Sequence, residues 1–323
     1  MTAGRAGGSG AERGASRATH RPRGPATWLA ATRPGFLAVT AVAVLVGTIA
    51  AIHGGAAPRL PEAAAALAGA LAAHAGANVL NDVHDARLGG DAINVDRVAP
   101  FTGGSRFIQD GVLDERTMAA LAAALLAAVV PIGLWLAWRS GSGLVGIGLA
   151  GLALGWAYSA PPLALMTRGL GEAAVGLAWW LVVAGAAFVQ AGRVDAPAAV
   201  AGVALAFSLV AILVLNQFPD LRADAAVGKR NAVVRLGPAR ARIGLPLLFV
   251  LAHATTLGGI AAGALPTACA LSLVALPAGA FASAALWRHA REPARLAPAI
   301  RATIAAALLQ GMGLAVGFAA AMR

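Results

Sequence analysis

The chain predicts an all-α fold, a polytopic membrane bundle of nine transmembrane helices, and three observations carry that prediction. Hydrophobic residues make up 59% of its 323 residues and charged residues only 12%, against about 25% charged in an ordinary soluble domain. Mean hydropathy is +0.74. The apolar residues are gathered in nine runs, most of them near the length of about 20 that crosses a bilayer. This composition excludes a disordered chain. A disulfide scaffold is excluded as well, because Cys269 is the single cysteine and lies inside an apolar run.

In chain order, residues 1–30 are rich in Gly, Ala, Ser and Arg and contain no apolar stretch. They predict a disordered basic cytoplasmic leader, and no h-region follows to make a signal peptide. Residues 31–323 form the nine-helix membrane domain. Its first span, 36–53, follows Arg33-Pro34 and stops at Gly54-Gly55, and the second, 62–81, runs from Pro61 to Asp82. The third, 117–138, is bounded by Arg116 and Arg139, and the fourth, 142–158, is rich in glycine and halted before Pro161-Pro162. The fifth, 173–190, ends before Gly192-Arg193, and the sixth, 197–218, ends at Pro219-Asp220. The seventh and eighth, 243–263 and 266–287, are separated only at Gly263 to Pro266. The ninth covers 300–322.

With the N-terminus inside, 21 of the 25 basic residues fall on the cytoplasmic side and 4 (Arg59, Arg139, Arg193 and Arg323) outside. The positive-inside rule therefore predicts a multi-pass protein of the cell (inner) membrane with a cytoplasmic N-terminus. The net charge of +11 is largely topological. The expected partner is the lipid bilayer, and no nucleic acid is expected.

The scarce polar residues are unevenly placed. Of nine aspartates, six lie between Asp82 and Asp114, and two more are Asp220 and Asp224. All five asparagines and the only lysine, Lys229, fall in or beside the same two segments, ANVLNDVHDARLGGDAINVDR (77–97) and LNQFPDLRADAAVGKRNAVVRLG (215–237). Each begins at the cytoplasmic end of a span and sets Asn four residues before Asp. Helical spacing then brings Asn78, Asp82 and Asp85 to one face, and Asn216, Asp220 and Asp224 to another. Carboxylates drawn together at a membrane face repel one another unless a cation neutralises them. Hard oxygen ligands with room for phosphate oxygens describe Mg²⁺ and a diphosphate. Lys229, Arg222, Arg230 and Arg235, with Arg87, Arg97 and Arg168, could meet the remaining phosphate charge. His84, beside Asp85, reads as a solvated neighbour.

At these residues the chain resembles the UbiA-type family of intramembrane aromatic prenyltransferases, over nearly its whole length after the leader. The first segment is similar to that family's Asn/Asp-rich motif and the second to its Asp-x-x-x-Asp motif. Thr32-Arg33-Pro34 resembles the family's opening Arg-Pro, and YSAPPL (158–163) with RGLGE (168–172) its central cytoplasmic loop. NDVHDARLGGD, DRVAP and GKRNAVVRLG are most similar to the branch that prenylates 1,4-dihydroxy-2-naphthoate in menaquinone synthesis. The resemblance implies Mg²⁺ held by Asp82, Asp85, Asp220 and Asp224, with Asn78 and Asn216 as ligands or orienters, binding a polyprenyl diphosphate donor at a site facing the cytoplasm. It also implies that Lys229, Arg168 and Arg235, with Arg97 and Arg33, contact the diphosphate. Tyr158, the only tyrosine, orients the aromatic acceptor, donates to diphosphate or serves as an interfacial anchor. Asp91 follows Asp85 by six residues, where many relatives space a third carboxylate by four, so its part in metal binding is left open. TGGSRFIQDG (102–111) is not tied to any role. Other acceptors of the family (4-hydroxybenzoate, homogentisate, a tetrapyrrole, a lipid alcohol) are alternatives. A transporter is another, disfavoured because the polar residues cluster at one membrane face.

Overall fold

A computed structural model describes residues 24–322, and among these residues all regular structure is helical. The part of the expected leader at 1–23 lies outside the described residues. Its last residues depart from the expectation, because Pro25–Ala31 form a short helix, α1, with Pro25 in its first turn.

The nine apolar runs fall on α2 (Leu37–His53), α3 (Leu60–Leu88), α5 (Glu115–Ser140), α6 (Gly143–Ser159), α7 (Gly171–Ala191), α8 (Ala196–Ala226), α11 (Gly244–Ala261), α12 (Leu276–His289) and α13 (Ala297–Ala320). Short helices α4 (Gly90–Ile93), α9 (Ala232–Leu236) and α10 (Pro238–Ala241) follow the two Asp-rich segments, and a 3₁₀ stretch, Thr267–Ala275, leads into α12. Each apolar run of the sequence is matched by a helix. Eight helical segments among the described residues are long and apolar enough to cross a membrane, counting the turn that leads into α2 (Pro34–His53), α10 with α11 (Pro238–Ala261) and the 3₁₀ stretch with α12 (Thr267–His289), while α6 stands alone with 17 residues. At 1.5 Å per residue α6 spans about 25 Å, less than the usual hydrocarbon thickness.

Two helices outrun their apolar segments, and this positions the site. α3 continues through Leu88 to a left-handed turn at Gly89 (φ 84°), and α8 continues past an internal Pro219 to Ala226. Both Asp-rich segments therefore begin as rigid helix rather than loop. α8 is the central element, packed against α2, α7, α11 and α13. Its large apolar side chains, Leu205, Leu209 and Leu215 among them, are buried in two adjoining cores. α13 crosses the 3₁₀ stretch backbone to backbone, since a Cβ on Gly313 or Gly317 would come within 2.6 Å of the Cα of Ser272 or Cys269.

α3 and α8 do not pack directly on each other; α2 and α7 lie between them and a cavity separates their facing surfaces. At the end of the bundle away from the aspartates, Glu62 is 2% exposed. It accepts from Arg59 at 2.9 Å and pairs with Arg139 at 2.7 Å. Arg59 also donates to the Val189 carbonyl, so one ion cluster ties α3, α5 and α7 together.

Candidate active site

The site is built where the extended ends of α3 and α8 face each other. On α3, Asn78 donates to the Thr32 carbonyl at 3.1 Å, fixing the chain ahead of α2. Asp82 and Asp85 follow on the same face and are both buried. On α8, Asn216 lines the cavity with a carbonyl oxygen that accepts no hydrogen bond, and Asp220 and Asp224 succeed it. Lys229 closes the gap. Its ammonium lies 2.8 Å from Asp85 Oδ1 and 2.9 Å from Asp224 Oδ1. Burial opposes the lysine charge, but the two carboxylates outweigh it and hold the group above its ordinary pKa. Asn231 supports this arm twice: it caps α9 by accepting from Val234 N–H, and it donates to Asp224 Oδ2 at 2.7 Å.

Sequence reasoning left Asp91 and the stretch 102–111 unassigned, and the structure brings both into the site. The turn at Gly89 folds α4 back, so Asp91 is buried beside Asp82 and Asp85. Burial, reinforced by Asp85 and Asp82, pushes the Asp91 carboxyl up to about 7. Asn94, which follows α4, donates to Asp220 Oδ1 at 2.6 Å and so links the two Asp-rich segments. The 102–111 stretch lies over the carboxylates. Ser105 N–H donates to Asp82 Oδ2 at 3.0 Å, and Arg106 donates to the Asp91 carbonyl at 2.7 Å. Phe107 and Ile108 anchor the stretch in a core built on Val79, Val83 and Met118. Apart from the left-handed glycine at 89, the only sequence signal for this convergence was the crowding of Asp itself.

A divalent cation fits here on structural grounds. Asp82 Oδ1 and Asp91 Oδ2 are buried and accept no hydrogen bond. Both point to the space beside Gly104, where an added Cβ would lie 2.9 Å from the first and 2.5 Å from the second. Unpartnered carboxylate oxygens around a space with no side chain are the donor set a hard cation requires. Among the described residues no three carboxylates converge as a finished metal cage. Lys229 supplies the positive charge between Asp85 and Asp224.

The carboxylate end opens into a cavity of about 520 Å³, whose wall becomes apolar along α3, α5, α6 and α7. Leu134 on α5 and Leu149 on α6 line it and are also 60% and 63% exposed, so the cavity opens sideways between these helices. Leu136, Leu144 and Val189 lie at its far end, next to the Glu62 ion cluster. Lys229, Asn78, Asn216 and Arg33 line the polar end, with Arg33 held by a hydrogen bond to the Phe101 carbonyl. Tyr158 also faces the cavity, its ring against Gly171, rather than the outer surface. Arg97, Arg168 and Arg235 are exposed and none lines the cavity. Arg168 donates to the Pro162 carbonyl, and the Arg235 guanidinium lies beside Gly169. Arg87 and Arg222 are engaged by Glu115 and Asp96. His84, expected to be solvated, is 8% exposed and does not line the cavity.

Residues 40–320 match the model of the UbiA prenyltransferase family. The chain belongs to that family. As a UbiA prenyltransferase it is similar to the 1,4-dihydroxy-2-naphthoate octaprenyltransferase of Mycobacterium tuberculosis, 32% identical over 293 residues, which are 90% of this chain and 96% of the relative. It also matches the 2-carboxy-1,4-naphthoquinone phytyltransferase of Synechocystis, 29% identical over 78% of this chain and 81% of that one. In fold this prenyltransferase resembles a UbiA homologue from Aeropyrum pernix K1, with a TM-score of 0.66 at 18% identity, covering 86% of this chain and 97% of the other. A UbiA homologue from Archaeoglobus fulgidus, solved bound to GPP and Mg²⁺, aligns with a TM-score of 0.56 at 17% identity over 90% and 98% of the two chains. With its apolar helices, family membership makes this prenyltransferase a multi-pass membrane enzyme.

Proposed function

We propose that this enzyme transfers a polyprenyl group from polyprenyl diphosphate to 1,4-dihydroxy-2-naphthoate, with Mg²⁺ as cofactor, at the cytoplasmic face of the cell membrane. The observation that carries the reaction is continuity: a carboxylate cluster with a buried lysine opens directly into an apolar, laterally open cavity. A diphosphate suits the first and a polyprenyl tail the second. The naphthoate acceptor is supported by relatives that bear that activity in their names and match most of this chain. The orientation is supported by the gathering of Arg and Lys on the side of the aspartates.

Asp82, Asp85 and Asp91 on one side and Asp220 and Asp224 on the other would hold the cation, with Asn78 and Asn216 as neutral oxygen ligands or orienters. When bound, it supplies positive charge where the diphosphate gains negative charge. Lys229 and Arg33 contribute fixed positive charge at the same end, in place before the bond breaks. The C1–O bond of the allylic donor breaks with its electron pair leaving on the diphosphate, and a ring carbon of the acceptor forms the new bond to C1. The ring regains aromaticity by shedding the group on that carbon, a proton or carbon dioxide. Tyr158 lies at the junction of polar and apolar walls, where it can orient the ring. Arg97, Arg168 and Arg235 act from outside the cavity, where they can attract the anionic donor.

Full-length protein in nanodiscs, supplied with octaprenyl diphosphate and Mg²⁺, should convert 1,4-dihydroxy-2-naphthoate to a prenylated product detected by mass spectrometry. Asp82→Ala and Asp220→Ala should abolish it. A preference for 4-hydroxybenzoate would overturn the acceptor assignment, and acceptor-independent behaviour with every aromatic would overturn the enzyme reading.

A further inference from the structure

One polar side chain in the cavity wall takes no part in the carboxylate cluster. His74 lies on α3 one turn before Asn78 and two before Asp82, about 6 and 12 Å from them along the helix axis. It lines the cavity and meets Trp179 of α7 edge to face, with ring centroids 5.1 Å apart. Its Nδ1 is 2.7 Å from the hydroxyl of Thr40, which is fully buried. Among the described residues, Thr40 makes no other side-chain hydrogen bond. It differs in this from Thr303, whose hydroxyl donates to the carbonyl one turn earlier. A buried hydroxyl needs an acceptor for its proton, so Thr40 donates to Nδ1 and the imidazole carries its own proton on Nε2. That Nε2 has no protein partner and is not enclosed by the protein. It presents a neutral N–H donor to the cavity.

A prenyl tail would leave this donor unsatisfied, at a cost that an oxygen-bearing ligand avoids. The α8 residues Leu209, Ile212 and Leu213 add apolar wall to the same cavity, and Trp179 packs against the core that holds the first two. The place therefore suits a flat ring carrying an oxygen, pinned by one hydrogen bond and packed against Trp179. We infer that His74, held in one tautomer by Thr40, is a further positioning residue for the aromatic acceptor beside Tyr158, donating from Nε2 to a ring hydroxyl or carboxylate oxygen. A ring docked there lies beside the first carbons of a prenyl chain whose diphosphate sits at the carboxylates. The inference rests on the proposed function for the nature of the acceptor.

The test uses full-length protein in nanodiscs and two independent readouts. Binding of 1-hydroxy-2-naphthoate without donor is measured by calorimetry. Turnover then gives separate KM values for acceptor and for octaprenyl diphosphate, using whichever acceptor the wild type converts best. His74→Leu should weaken naphthoate binding and raise acceptor KM on the order of tenfold, with donor KM within about twofold of wild type. His74→Gln, which keeps an N–H donor, should recover most of the loss. Thr40→Val, which frees the tautomer, should weaken acceptor binding several-fold and decides the matter if His74→Leu fails to fold. Unchanged acceptor binding in His74→Leu or in Thr40→Val, or a loss confined to donor KM, would overturn the inference. A wild type that converts only a non-naphthoate ring would overturn the naphthoate assignment and leave the KM comparison on that ring to judge His74.

Discussion

Replacing Lys229 by Met removes the cation that spans the cavity. The ammonium touches Asp85 at 2.8 Å and Asp224 at 2.9 Å, so the two carboxylate oxygens are separated by no more than the sum of these distances, about 5.7 Å. At an effective dielectric of about 20, two unit charges that far apart repel by about 3 kcal/mol. The side chains concerned are only 10% to 11% exposed, so water screens little of this. The result agrees with the loss of about 3–5 kcal/mol usual when one partner of a buried pair is removed. Thermal unfolding of Lys229→Met in nanodiscs with EDTA should therefore begin of the order of 5 °C below wild type. Millimolar Mg²⁺ should raise the variant more than the wild type, because the carboxylates then gain the counter-charge that the lysine had supplied. Equal unfolding temperatures in EDTA, or equal stabilisation by Mg²⁺, would refute the assignment of Lys229 as the resident counter-cation.

Further expectations concern residues around the same cavity. Gly104→Ala places a Cβ 2.5 Å from Asp91 Oδ2 at a backbone φ of +65°; prenyl transfer should fall about a hundredfold or more, with a raised Mg²⁺ requirement in a metal titration. Asp91, with a folded-state pKa of about 7 against an ordinary value of 3.8, keeps its proton longer when folded. Its contribution is therefore favourable at low pH and is lost as pH rises from about 4 to 7, then flat above; Asp91→Asn should remove this part of the metal-free stability profile followed by thermal unfolding. Gly151 lines the cavity with nothing within 4 Å of an added Cβ. Gly151→Leu should fold normally but lower kcat/KM for octaprenyl diphosphate relative to geranyl diphosphate by about tenfold, the expected penalty for overfilling an apolar space.

The placement of the apolar helices, and the gathering of Asp, Asn and Lys at two of their ends, were legible in the sequence because both are local properties. Hydropathy over a window reports where a chain can avoid water. A spacing of four reports which side chains share a helical face, so Asn78 with Asp82 and Asn216 with Asp220 needed no coordinates. Even so, α3, which runs 29 residues from Leu60 to Leu88 where the apolar run covers only 62–81, shows that an apolar run does not state the length of the helix it becomes.

What met across space was decided by tertiary structure. Asp91 joined the cluster because Gly89 turns the chain back, and the 102–111 stretch joined because Phe107 and Ile108 pack against a neighbouring core. Arg235, inside the second Asp-rich segment, stayed outside the cavity, as did Arg168, while Arg33, well before the first segment, came in. His74 was invisible as a single polar residue in an apolar run until packing set it against Thr40 and Trp179. Sequence alone determined the membrane bundle and the residue types that can handle a diphosphate, because composition and periodicity act within one helix. Which cation stands between the carboxylates, which oxygens are left without donors and which wall faces the cavity depend on turns and helix packing between segments more than a hundred residues apart.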